Sequence, residues 1–194
     1  MSQPFIVGVL VGSLRRDSVN LKLAHAMASL SHRMKFDFIP IADLPLYNPD
    51  LDGADAPTAW FEFRERVRSV DAVLFVTPEY NRSIPGGLKN ALDVGSRPMG
   101  QSVWDGKPAA IATASPGGIG GFGANHVLRQ SLVFLNMPAM QQPEAYIGEA
   151  FDLFDADGYI VKQETKSFLE GFMHHFEEWV ECNVSDDQWV RAMA

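Results

Sequence analysis

A chain of 194 residues with 46% hydrophobic and 21% charged residues has the composition of one soluble globular domain, and it contains no run of about 18 apolar residues that would span a membrane. Its formal net charge of -8 argues against nucleic acid, whose binding needs clustered Lys and Arg, so any anionic ligand must be held by local charge. The single cysteine, Cys182, excludes an internal disulfide framework and fits a reducing compartment. The first strand-like run starts without a basic flank, so no signal peptide is expected and the protein is placed in the cytoplasm.

Phe5 to Gly12, FIVGVLVG, is a continuous apolar run rich in β-branched residues that ends in glycine. That is the pattern of a strand buried on both faces of a parallel sheet. SVNLKLAHAMASLSH then has apolar residues at helical spacing with Ser18 or Asp17 as N-cap, and KFDFIPI alternates as a second strand. TAWFEFRERVRSV, Thr58 to Val70, predicts an amphipathic helix, and Asp71 to Thr77 a third, buried strand. GGLKNALDVGS predicts a short helix, KPAAIATAS a fourth strand and ANHVLRQSLVFLN a further helix, with a last helix from Lys162 to Val184. Strands alternating with helices imply a mostly parallel sheet covered on both faces. Neither a repeat nor a linker interrupts residues 1–194, which predicts a single domain.

Ligands of such sheets bind beyond the carboxyl ends of the strands, where strand order reverses. Three loops qualify: Gly12 to Asn20, Pro78 to Gly87 and Ser115 to Gly123. The first offers Ser13, Ser18 and Asn20 as neutral donors, Arg15 and Arg16 as cations, and a helix N-terminus with free N–H groups. This set suits a phosphate monoester, the alternative being an ordinary solvated loop. The absence of G-x-x-x-x-G-K-[ST] argues against nucleoside triphosphate chemistry. The second loop, in TPEYNRSIPGGLKNALD, presents Glu79, Tyr80 and Asn81 between prolines. It suits a flat heteroaromatic ring, the alternative being a rigid turn with Tyr80 packed inward. The third contains a formal G-x-G-x-x-G at Gly118, Gly120 and Gly123. It follows the fourth strand rather than the first, so it reads as a glycine loop that lets backbone approach a flat ligand.

Other patterns carry less. DADGYIVKQE has acidic residues at EF-hand spacing, but Leu153 stands at the first ligand position and a hairpin turn at Asp157-Gly158 fits better. His174 and His175 are adjacent on a helix and so about 100° apart, a poor pair for one metal. No G-x-S-x-G elbow supports a hydrolase nucleophile.

Taken together, GSLRRDSVN, LPLYNPDL and TPEYNRSIPGGLKNALD closely resemble the NADPH-dependent FMN reductase family, which includes soluble bacterial quinone and chromate reductases. The resemblance covers most of the chain, and the PEYN-x-S-x-PGGLKNALD block is its most specific part. It implies a flavodoxin-like α/β three-layer sandwich with a five-stranded parallel sheet of order 2-1-3-4-5. It also implies FMN as cofactor and NAD(P)H as co-substrate. Hydride would pass to FMN, and electrons onward to a small-molecule acceptor: a quinone, free flavin, azo compound or metal oxyanion such as chromate.

By the same resemblance, Ser13, Arg15, Ser18 and Asn20 would bind the FMN phosphate. Pro78, Glu79, Tyr80 and Asn81 would line the ribityl chain and isoalloxazine, with Ser115 and Gly118 completing the pocket. Neither a side-chain acid or base nor a metal is expected, because the protein's part is stacking and orientation. Relatives are dimers or tetramers whose flavin pocket is finished by the neighbouring subunit, so FEFRERV and the helix after Asn90 are the expected interface of a homodimer or homotetramer. Arg82 and Trp104 depart from the family pattern and are expected near the entrance to the flavin face. The competing class is a flavodoxin-type carrier that exchanges single electrons with protein partners. It is disfavoured because these loops lack the long acidic and aromatic insertions of carriers, while a flavin-free binding module leaves Arg15 and the PEYN loop unexplained.

Overall fold

The computed structural model describes residues 4–53, 55–156 and 158–192. Five strands, β1 (Phe5–Val11), β2 (Met34–Phe38), β3 (Ala72–Thr77), β4 (Ala109–Ala114) and β5 (Ala145–Ile147), form one parallel sheet in the order β2-β1-β3-β4-β5. The apolar runs of β3 and β4 are buried at every position, as strands covered on both faces must be. Successive side chains go to opposite faces, so Val7, Val9, Leu74 and Val76 enter one core while Leu10, Val73 and Phe75 enter the other.

The helices divide accordingly. On one face, α1 (Val19–Leu30) brings Leu23, Ala24 and Met27 against Leu169, Phe172 and Phe176 of α5 (Gln163–Ala192). On the other lie α2 (Thr58–Arg68), α3 (Gly86–Gly95) and α4 (Phe122–Phe134), contributing Trp60 and Phe63, Leu88 and Leu92, and Leu128 and Leu132. The chain therefore changes face between β1, which leads to α1, and its neighbour β3, which leads to α3. That reversal opens a crevice at the carboxyl ends of the two strands.

The predicted elements match these within a few residues, except that α5 runs on to Ala192 rather than ending near Val184. Ser18, not Asp17, caps α1: its Oγ accepts from the N–H of Leu21 at 3.1 Å. Asp157 of the expected hairpin turn lies outside the described residues, but the chain around it closes as an antiparallel bridge from Phe154 to Ile160, with Gly158 at φ +87°. His174 lies 3.5 Å from Glu178, whereas His175 meets the carbonyl of Gly171 at 2.7 Å, so the two rings serve different partners.

Trp104 requires a correction. The sequence reading sets it at the entrance to the flavin face, yet it is fully buried in the loop that returns from α3 to the amino end of β4. Its ring lies against Phe63 and Phe75, and its Nε1–H donates to the carbonyl of Leu92 at 2.9 Å. Gly95 makes room for it, since a Cβ there would come within 2.5 Å of the indole. A large ring whose polar N–H finds a backbone acceptor is a stable core residue.

Candidate functional site

The three loops predicted from sequence stand side by side at the carboxyl ends of β1, β3 and β4, and each is tied to the other two. The first meets the second where Leu14 lies over Gly87, and it also extends the pairing with β3, the N–H of Gly12 donating to Val76 O at 2.9 Å. A Cβ at Gly12 would approach the Thr77 hydroxyl to 2.1 Å, so only glycine permits this contact. Between the first and third loops stands Asn20, buried in the first turn of α1. Its Nδ2 donates to Ala114 O at 3.1 Å and its Oδ1 accepts from Ala114 N at 3.3 Å. Glu79 joins the second to the third: its Oε2 accepts from the N–H of Ala124 in the first turn of α4 at 3.2 Å, and its Oε1 accepts from Arg82 at 3.2 Å.

Arg15 and Arg16 are exposed at the first loop, and neither forms a salt bridge among the described residues. The direct partner of Asp17 is Lys22, at 2.6 Å, and Arg15 acts on its carboxylate only as a weaker charge. The Lys22 hydrogen bond, and then its charge, hold the Asp17 carboxyl below its ordinary value. Two exposed cations without a salt bridge among the described residues thus stand at the N-terminus of a twelve-residue helix, where partial positive charge and unpaired N–H groups favour an anion. Ser13 and Arg15 also border a cleft of about 310 Å³ on the β2 side, with Phe38 and Pro40 opposite.

In the second loop Tyr80 and Ser83 exchange backbone hydrogen bonds, Tyr80 N to Ser83 O at 2.9 Å and Ser83 N to Tyr80 O at 3.0 Å. Asn81 and Arg82 form the turn between them. Tyr80 is 47% exposed, so the alternative of an inward-packed ring does not describe this loop. In the third loop the formal dinucleotide pattern dissolves into packing roles. Gly120 has φ +66°, and a Cβ there would strike the Tyr146 backbone at 2.5 Å. Gly123 packs on the Glu79 carboxylate. Gly117 and Gly118 are exposed just beyond the carboxyl end of β4, with the Gly117 carbonyl accepting from Gly120 N at 3.1 Å.

Of the ten expected site residues, Ser13, Arg15, Pro78, Tyr80, Asn81, Ser115 and Gly118 lie on the segments that follow β1, β3 and β4 at their carboxyl ends. Ser18, Asn20 and Glu79 have their side-chain oxygens engaged in capping or in joining loops. Sequence reasoning missed Thr77 and Thr113, which are fully buried and face each other in register across β3 and β4. The Thr113 hydroxyl donates to Gly120 O at 2.7 Å and so fixes the glycine loop. A hydroxyl at the end of an otherwise apolar strand, FVT and IAT, was the available signal.

The sequence profile of NADPH-dependent FMN reductase matches residues 6–152, a span that includes all three loops. A quinone reductase of Pseudomonas putida is 56% identical over 184 residues, covering 94% of this chain and 98% of that protein. A 2-hydroxy-1,4-benzoquinone reductase of a Burkholderia species is 49% identical over 175 residues, covering 90% and 95%. Among solved structures, the flavoenzyme NAD(P)H:(acceptor) oxidoreductase FerB of Paracoccus denitrificans has a TM-score of 0.87 at 44% identity, covering 92% of this chain and 98% of its own. Agreement of profile, near end-to-end identity and shared fold leads to one conclusion: the chain belongs to the NADPH-dependent FMN reductase family.

Proposed function

We propose that this protein is an FMN-dependent NAD(P)H oxidoreductase that reduces quinones by two-electron ping-pong transfer. The observation that carries the reading is the joining of three strand-end loops at the carboxyl ends of neighbouring strands, with exposed arginines at a helix start on one side and exposed glycines on the other. The donor set fits FMN. Arg15, Ser13 and the start of α1 suit its phosphate, and the Pro78–Asn81 segment with Ser115 and Gly118 suits its ribityl chain and flat ring. Bound FMN supplies the hydride acceptor and the electron donor, so the chain's own task is orientation. Ser18 shapes the phosphate loop by capping α1, while Asn20 and Glu79 hold the loops at fixed spacing. Holding reactants in register is itself a large share of such catalysis.

Free flavins, azo compounds and chromate are further acceptors that an open crevice of this kind would admit. No helix among the described residues is long and apolar enough to cross a membrane, and a cytoplasmic site fits the lone exposed Cys182. Self-association into a homodimer or homotetramer is part of the same reading. Of the two segments expected at that interface, α2 turns Phe61 outward at 62% exposure. The stretch after Asn90 is mostly turned inward, with Ala91, Leu92, Val94 and Gly95 buried.

The test is a reduction experiment on the purified protein loaded with FMN. NAD(P)H alone should bleach the bound flavin in one two-electron step and a quinone should restore it, with parallel double-reciprocal lines in steady state. A flavin that stays oxidised with NAD(P)H until a separate reductase is added would make the protein a carrier instead.

A further inference from the structure

The turn at Asn81 and Arg82 breaks a backbone rule. Both residues have positive φ, +52° and +64°, in a two-residue turn closed by hydrogen bonds in both directions between Tyr80 and Ser83. Such mirror-image turns are filled by Asn-Gly, because the second position favours a residue without a Cβ. Asn81 obeys this preference and Arg82 does not. Strained residues that persist in a tight turn cluster at ligand clamps and active sites.

The side chain shows what the strained position carries. Arg82 is 76% exposed, and one Nη is held 3.2 Å from Glu79 Oε1. Glu79 is only 13% exposed, and its other oxygen is occupied by the amide of Ala124. One edge of the guanidinium is thus leashed to a largely covered carboxylate, and its other N–H donors form no hydrogen bond among the described residues. A planar fork with free donors matches a phosphate group. Arg15 stands at a different loop, at the start of α1, so Arg82 is left over once the cofactor phosphate is assigned. A chain of net charge -8 repels a dianionic coenzyme, and a cation at the mouth offsets that locally.

We propose that Arg82 is the coenzyme-phosphate subsite, binding the diphosphate of NAD(P)H outside the crevice while the nicotinamide enters between the second and third loops. The assignment rests on the function proposed above. The Glu79 leash keeps the guanidinium at the mouth, and the turn places it there at the expense of local strain. Arg82 therefore sets affinity for the coenzyme and leaves the electron acceptor's affinity alone.

The test compares wild type, Arg82→Gly and Arg82→Lys, all loaded with FMN. Glycine suits the turn, which offsets the lost Glu79 contact, so Arg82→Gly removes the guanidinium without threatening the fold, and its melting temperature should stay close to that of wild type. ADP-ribose, which has the diphosphate but no nicotinamide, serves as the calorimetric probe. Arg82→Gly should weaken ADP-ribose binding and raise the NAD(P)H KM about five- to tenfold, with kcat, quinone KM and FMN content unchanged. Arg82→Lys should recover most of the loss, and the dependence of coenzyme KM on ionic strength should be shallower in Arg82→Gly than in wild type. The proposal is overturned if Arg82→Gly binds ADP-ribose as wild type does, or if its quinone KM rises in parallel. Failure of wild type itself to bind FMN would instead overturn the proposed function.

Discussion

Asn20 offers a test of what the first loop does, because the family resemblance and the structure give it different work. The resemblance makes it a phosphate ligand, whereas in the structure both its amide atoms are committed to the backbone of Ala114. Asn20→Ala strips a buried N–H and a buried carbonyl of this partner, and each orphaned group costs about 1–3 kcal/mol. The bond accepted from Ala114 N, at 3.3 Å, belongs at the weak end of that range. The sum is about 2–4 kcal/mol of stability, a substantial part of the roughly 5–15 kcal/mol that holds a domain folded. Urea unfolding of the FMN-free protein measures this directly. Titration with FMN and with riboflavin then separates the two roles. A tie between loops, once cut, lets the whole crevice shift, so both ligands should bind more weakly; a phosphate contact would weaken FMN alone. Stability within about 0.5 kcal/mol of wild type, a typical value for a neutral surface change, together with a loss confined to FMN, would refute the structural role.

Arg15→Ala should lower FMN affinity about 10- to 150-fold, the equivalent of about 1.5–3 kcal/mol for a charge-assisted bond, and leave riboflavin binding nearly unchanged; equal losses would remove Arg15 from the phosphate site. Trp104→Ala should cost about 3–5 kcal/mol in denaturant unfolding, as large core truncations do. Its surviving holoenzyme should keep the wild-type acceptor preference, and a changed preference without lost stability would return Trp104 to the entrance. Burial, and then the Glu144 carboxylate, push the Tyr146 phenol from 10.0 up to about 12. Unfolded chain releases that proton near pH 10 while folded protein retains it, so the contribution is whole below pH 10 and is lost as pH rises toward about 12. Denaturant midpoints measured across this window should fall less steeply in Tyr146→Phe than in wild type.

The amino-acid sequence by itself determined the layer architecture and the family. Strands such as AVLFVT and AAIATA are apolar at every position because both faces of the sheet are covered, and this pattern is local enough to be seen without a partner. The three loops were legible for the same reason: glycines, prolines and a capping serine act on their own backbone. β5 was not found in the pattern, since its three residues, AYI, are too few to show any period. Only the tertiary structure decided which side chains are free to meet a ligand. Asn20 finds its partner 94 residues away and Glu79 finds its own 45 away, and no local pattern encodes such a meeting. Trp104 was misplaced on the same account, because the space that receives it is made by Gly95, Phe63 and Phe75 from three other segments. A polar or aromatic side chain in a loop has the same local sequence signature whether it joins two strands, fills a core or faces a substrate. Its role is set by what long-range packing leaves beside it.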